Sequence, residues 1–173
     1  MKMQLITAAA LLLASASLAA ADECPVAGIE KTLSEPLPDT AMTEREVSDI
    51  QSTEGGVWRI HRAEDGRVAG ILRIDGGESG MSERRLGIVS ANAYGIAVTR
   101  VDYLRHAFID GGGPNGTAKR MTEYFYFCGG KLVVPPTEYA TMDVDAYTRA
   151  GEEARKAMVL DKDVAEFTKD LAR

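Results

Sequence analysis

Six arginines, Arg59, Arg73, Arg84, Arg85, Arg100 and Arg105, fall on a succession of alternating apolar and polar runs. Guanidinium groups gathered on one sheet face make a basic cleft, and their planar forks match carboxylates and phosphates. Tyr103 and His106 stand beside the last two in sequence. Arg59, Arg73, Arg100, Arg105, His106 and Tyr103 therefore form the candidate ligand-binding set, suited to a small anionic or glycan ligand. Ion pairing within the protein is the competing use of the same charges. Residues 22–56 carry two basic against nine acidic side chains, residues 57–135 eleven against eight, and residues 136–173 six against nine. Acidic ends can thus fold over the basic middle and neutralise it.

Patterns for catalysis are weak. His61, His106, Asp102 and Tyr103 are the acid–base candidates. Asp102 and His106 share one face of a strand, but four residues of strand hold them roughly 13 Å apart, too far for a dyad. His106 alternates with Leu104 and Phe108 and so sits on a largely apolar face. His61 is expected opposite Gly70, where a ligand or another backbone has room to approach. Two histidines cannot make a three-His zinc site, and no H-x-x-x-H spacing occurs. Gly111-x4-Gly116 has the glycine spacing of a phosphate-binding loop, but Thr117-Ala118 follows where lysine and a hydroxyl are needed. Gly77-Glu78-Ser79-Gly80-Met81 begins like a nucleophile elbow and lacks its final glycine. Asp143-Val144-Asp145 and Asp161-Lys162-Asp163 do not continue as calcium loops. No catalytic residue, metal ligand or cofactor is assigned on these patterns.

The first 21 residues have the form of an export signal. Lys2 supplies the positive start, Leu5 to Ala14 the apolar run, and Ala19 and Ala21 the small residues read before a cut at Asp22. The run is too short for a membrane span, which needs roughly 20 residues, and none is expected in the processed chain. Removal of residues 1–21 leaves 152 residues with 19 basic and 26 acidic side chains, a net charge of −7. That is the size of one domain with a real core. Its negative charge gives it no electrostatic reason to bind nucleic acid. The expected location is the periplasm or the cell exterior, an oxidising compartment. There, Cys24 and Cys128 are most simply one disulfide, and their spacing excludes a C-x-x-C redox motif.

The elements that must position these residues follow from periodicity. Asp22 to Ala41 holds three of the six prolines and is expected as an extended tail ahead of a single domain spanning 42–173. Thr43-Glu44-Arg45-Glu46 fits a capping box, with Met42 and Val47 as a hydrophobic staple, and predicts a short helix ended by Gly55-Gly56. From Val57 the period becomes two. Strands are predicted at Val57–Arg62, Arg67–Asp75, Arg84–Ala91, about Gly95–Ile109, Lys119–Cys128 and Lys131–Pro135, with Gly76–Ser82 and Asp110–Thr117 as loops. Asp65-Gly66 predicts a two-residue hairpin turn that sets Ile60 opposite Ile71 and Glu64 opposite Arg67. Gly129-Gly130 predicts a second hairpin, with Cys128 at its tip in reach of the tail. Asp143 is expected to cap a closing helix whose apolar stripe is Tyr147, Gly151, Ala154 and Met158, with a break near Asp161 before Val164, Phe167 and Leu171.

The fold expected is α+β: a six-stranded antiparallel meander, a curved sheet or half-barrel, covered on one face by a short N-terminal and a long C-terminal helix. A closed small barrel is the alternative. The function expected is that of an exported non-catalytic binding protein of the cell envelope, taking an envelope protein or a small anionic ligand. Two alternatives stand beside it. One is a small periplasmic enzyme with a His/Asp/Tyr site on the sheet. The other is a structural accessory docking through its C-terminal helix.

Overall fold

The computed structural model describes residues 24–39, 41–49, 54–105, 116–133 and 143–172. The leader, His106, most of the 110–117 loop and the stretch from Val134 to Met142 lie outside them. The elements are α1 (Val26–Ser34), β1 (Met42–Glu46), β2 (Gly56–Arg62), β3 (Val68–Gly77), β4 (Gly80–Ser90), β5 (Ala93–Tyr103), β6 (Thr117–Cys128), β7 (Lys131–Val133), α2 (Val144–Met158) and α3 (Ala165–Thr168). The protein is α+β. Among the described residues, seven strands form one open antiparallel sheet in chain order, with β1 and β7 at the two edges. No helix among the described residues is long and apolar enough to cross a membrane.

Two elements at the N-terminal end differ from the sequence expectation. The stretch read as an extended tail contains a helix, α1. Its prolines flank it: Pro25 is the N-cap and Pro36 lies beyond the last turn, positions where a missing N–H costs no helical bond. The stretch read as a helix is the edge strand β1, paired to β2 from Met42–His61 to Glu46–Val57. Its capping box is a local signal with few apolar residues behind it. Strand pairing offers more, including a cross-strand ion pair between Arg59 Nε and Glu44 Oε2 at 3.0 Å.

The turns set the register. Ile60 does stand opposite Ile71 and His61 opposite Gly70. Glu64 does not face Arg67, because the loop is longer than two residues. Gly66, at φ +80°, donates to Ala63 O, and Ala63 N–H donates to Arg67 O, each at 2.9 Å. The predicted 76–82 loop is mostly strand, since β3 and β4 run on to a tight turn at Glu78-Ser79 and pair through Gly77–Gly80. Gly129-Gly130, both at positive φ, make the last hairpin, and Phe127 pairs with Leu132.

Both sheet faces are apolar near the middle of β5, and this decides where the helices go. Tyr94, Ile96 and Val98 face one side; Ala93, Gly95 and Ala97 face the other. The first side carries the main core: Trp58, Ile60, Ile71, Leu86, Phe125 and Phe127, closed over by Ala154 and Met158 of α2 and by Val164 and Leu171 beyond it. Tyr94 and Phe127 stack with ring centroids 5.0 Å apart. The expected stripe on α2 and its Asp143 cap, which accepts from Ala146 N at 3.0 Å, are both present. α1 lies on the opposite face, where Ile29 and Leu33 pack on Ala93, Ala97 and Tyr126. The two helices therefore cover two faces, not one.

α1 is held in three further ways. The Cys24–Cys128 disulfide, with Cα atoms 5.7 Å apart, ties its start to the β6–β7 hairpin. Arg85 Nη2 donates to Thr32 O at 2.7 Å and also to Glu35 O, answering the free carbonyls at the helix end. Gly95 lets it approach, since a Cβ there would lie 2.3 Å from Ile29 Cγ2.

On the other side Asp163, between α2 and α3, accepts from Ser48 N at 2.7 Å and from Ser48 Oγ at 2.6 Å, clamping the end of β1. These bonds hold its carboxyl below its ordinary 3.8. A lowered carboxylate pKa adds stability that is present above the unfolded value and lost as pH falls through the folded one. Asp163→Asn is expected to lower Tm by about 2 °C at pH 7, with the gap to the parent closing as the solution is acidified below pH 3.8. Thermal melts of both proteins at several pH values read this directly, and a gap that widens in acid contradicts it.

Candidate functional site

Strand alternation sorts the arginines before any cavity is considered. Arg73 pairs with Arg84 across β3–β4, Arg84 with Val98 across β4–β5, and Ser82 with Arg100, so Arg73, Arg84 and Arg100 share the face that carries α2. Arg59 and Arg85 point to the α1 face. Tyr103 also lies on that face, half-buried at the end of β5. Arg105 follows β5 and is exposed, and it lines neither of the cavities described below. The structure thus brings together two of the six candidates, Arg73 and Arg100. The arginine between them, Arg84, was in the sequence pattern but outside the candidate set. His106 lies outside the described residues.

The three guanidiniums open into a cleft of about 620 Å³ between the sheet and the flank of α2. Val98 and Phe125 lie on the sheet side, and Ala150, Ala154 and Ala157 on the helix side. Five basic and four acidic side chains line it. Total charge is therefore nearly balanced, and availability decides which groups can meet a ligand. Arg73 is committed. It is 3% exposed, donates from Nε to both Asp75 carboxylate oxygens at 3.1 and 3.0 Å, reaches Asp161 through Nη1 at 3.3 Å, and lies over the Trp58 ring at 5.2 Å.

Arg84 is half committed. Its Nη1 donates to Asp75 Oδ2 at 2.6 Å, leaving its other N–H groups for the cavity. Burial holds the Arg84 pKa below its ordinary value, and the positive charges of Arg73 and Arg100 push the same way, while Asp75 opposes them. Arg100 is the most available. Its side chain is 64% exposed, and its ion pair with Glu123 spans 3.4 Å between two exposed groups. Lys156 and Lys162 add positive charge from the helix side.

A second cavity of about 310 Å³ continues along the same sheet face, lined by Gly77, Gly80 and Ser82 and bordered by two basic side chains, Arg84 and Arg100, and two acidic ones, Asp75 and Asp102. Arg84 and Arg100 line both cavities and form their common wall. The Ser82 hydroxyl is shielded from solvent and has no hydrogen-bond partner among the described residues.

The acid–base candidates do not converge. His61 is 4% exposed on the α1 face. Its Nδ1 lies 2.9 Å from Pro38 O. Leu37 fills the space above Gly70, where a Cβ would lie 2.6 Å from Leu37 Cδ2. The Leu37 side chain and the Pro38 carbonyl thus occupy the room expected beside His61. Asp102 lies on the opposite face, opposite Gly80. No three His, Cys, Asp or Glu side chains come together as a metal site among the described residues. The apolar stripe of α2 is buried in the core and does not stand free for docking.

Compared with known protein families, curated proteins and solved structures, the chain finds no match.

Proposed function

We propose that the protein is an exported binding protein of the cell envelope, periplasmic or secreted, that takes a small anionic ligand in the cleft between the sheet and α2. One observation carries the reading: Arg84 and Arg100, on neighbouring strands of one face, form the wall common to two adjoining cavities. A cleft of this volume suits a small molecule. Guanidiniums with unused donors at its wall supply charge-assisted hydrogen bonds to an oxyanion. The disulfide supports placing the protein in an oxidising compartment.

Ligand binding raises Tm by mass action. Thermal melts of the purified protein with millimolar acetate, citrate or phosphate are expected to show a rise with at least one anion. Glycerol and choline should give none. Arg100→Gln, at an exposed position, should leave the unliganded Tm in place and remove the rise. Equal effects of the neutral and cationic controls, or an anion effect that survives Arg100→Gln, would overturn the proposal.

A further inference from the structure

The anion-binding reading can be taken one step further, to the kind of anion. We infer that the group seated at the common wall is the phosphoryl group of a small phosphate ester, held by Ser82, Arg84 and Arg100; this rests on the cleft being the binding site. Ser82 pairs with Arg100 on β5, and Arg84 lies two residues further along β4 on the same face. The three side chains therefore spring from the corners of a triangle with edges of about 5–8 Å. Donors at such corners approach a point above the sheet from three directions. A planar carboxylate is satisfied by one guanidinium fork, whereas a phosphoryl group has three oxygens to share among three donors.

Ser82 is the discriminating residue. Buried hydroxyls in native proteins are nearly always bonded. This one is shielded and has no partner among the described residues, although two guanidiniums lie close by. One torsion, χ1, re-aims it toward an arriving oxygen. The neighbouring carboxylate, Asp75, is shared by Arg73 and Arg84, which leaves that trio with one net positive charge. The smaller cavity, bordered by Asp102 as well as by Gly77 and Gly80, meets the wall from one side, and the cleft under α2 takes the body of the ester.

The test is calorimetric titration with glycerol phosphate, inorganic phosphate and acetate, on the parent protein and on Ser82→Ala and Arg100→Gln. Both phosphates are expected to bind at least about tenfold tighter than acetate, the gain of one or two extra charge-assisted hydrogen bonds. Ser82→Ala should weaken the phosphates by about fivefold or more and leave acetate unchanged, while Arg100→Gln weakens all three. Acetate binding as tightly as the phosphates, or phosphate affinity indifferent to Ser82→Ala, overturns the phosphoryl assignment and leaves the anion site standing. Binding of none of the three overturns both. The comparison within the parent protein decides the matter even if a variant fails to fold.

Discussion

Asp75→Ala is expected to cost about 3–5 kcal/mol of stability, a large share of the total for a domain of this size. Asp75 is the shared acceptor of two arginines under the cleft. It takes Arg73 Nε on both oxygens and Arg84 Nη1 on one. The Arg73 and Asp75 side chains are 4% and 10% exposed, so neither is well served by water. With the carboxylate gone, Arg73 keeps the longer contacts to Asp161 and the Asp49 carbonyl and its place over the Trp58 ring, and it faces Arg84 across the strand pair as a like charge. A stranded buried charge is what makes removal of one partner so expensive. Arg84→Met should cost less, because Asp75 retains Arg73. The double variant should cost less than the sum of the singles, since the two residues pair directly with each other. Urea denaturation of the three proteins measures this, and an Asp75→Ala loss below about 1 kcal/mol would show that the cluster is not strongly coupled to folding.

Cys128→Ser should lower Tm by about 10 °C or more. Cys24 and Cys128 are 104 residues apart. Closing a loop of that size removes about 4–5 kcal/mol of unfolded-state entropy in the chain model, and each kcal/mol moves Tm by about 2–4 °C at this length. The structure adds a local effect. α1 is nine residues long, below the length at which a helix persists alone in water. Without the bridge it depends on Ile29, Leu33 and the Arg85 contacts for its place on the sheet. The variant should therefore lose helical signal before the sheet melts, as a separate low-temperature phase in far-ultraviolet circular dichroism. Coincident melting curves for parent and variant would contradict this account.

The parts of the fold legible in the sequence are those with strong local signals and a face to bury. α2 announced itself through Asp143 and the Tyr147–Met158 stripe, and the last hairpin through Gly129-Gly130. The N-terminal region was illegible for a physical reason. Its helix has Pro25 at its start and Pro36 just beyond it, and only Ile29 and Leu33 buried, while β1 is exposed along its whole length and carries a helix-start motif. Both conformations are chosen by partners distant in sequence. The arginine cluster was legible as a pattern, but which arginines share a face was not. That depends on the register through Glu78-Ser79, which reads as the middle of a polar loop. Ser82 had no signal at all, since its distinction is an unmet hydrogen bond rather than its type.

The chain-order topology has a consequence for biogenesis. Each described strand lies beside the next described one, so each can zip onto the last as the polypeptide emerges. α1 comes first among these elements but must wait, because its seat is built by β5 and β6 and by Arg85 and Gly87 of β4, and its covalent partner sits at the end of β6. With two cysteines in the whole sequence, no scrambled isomer can trap the chain during that wait. A bridge between two molecules remains open to it, which makes formation of the Cys24–Cys128 bond sensitive to how crowded the newly made chains are.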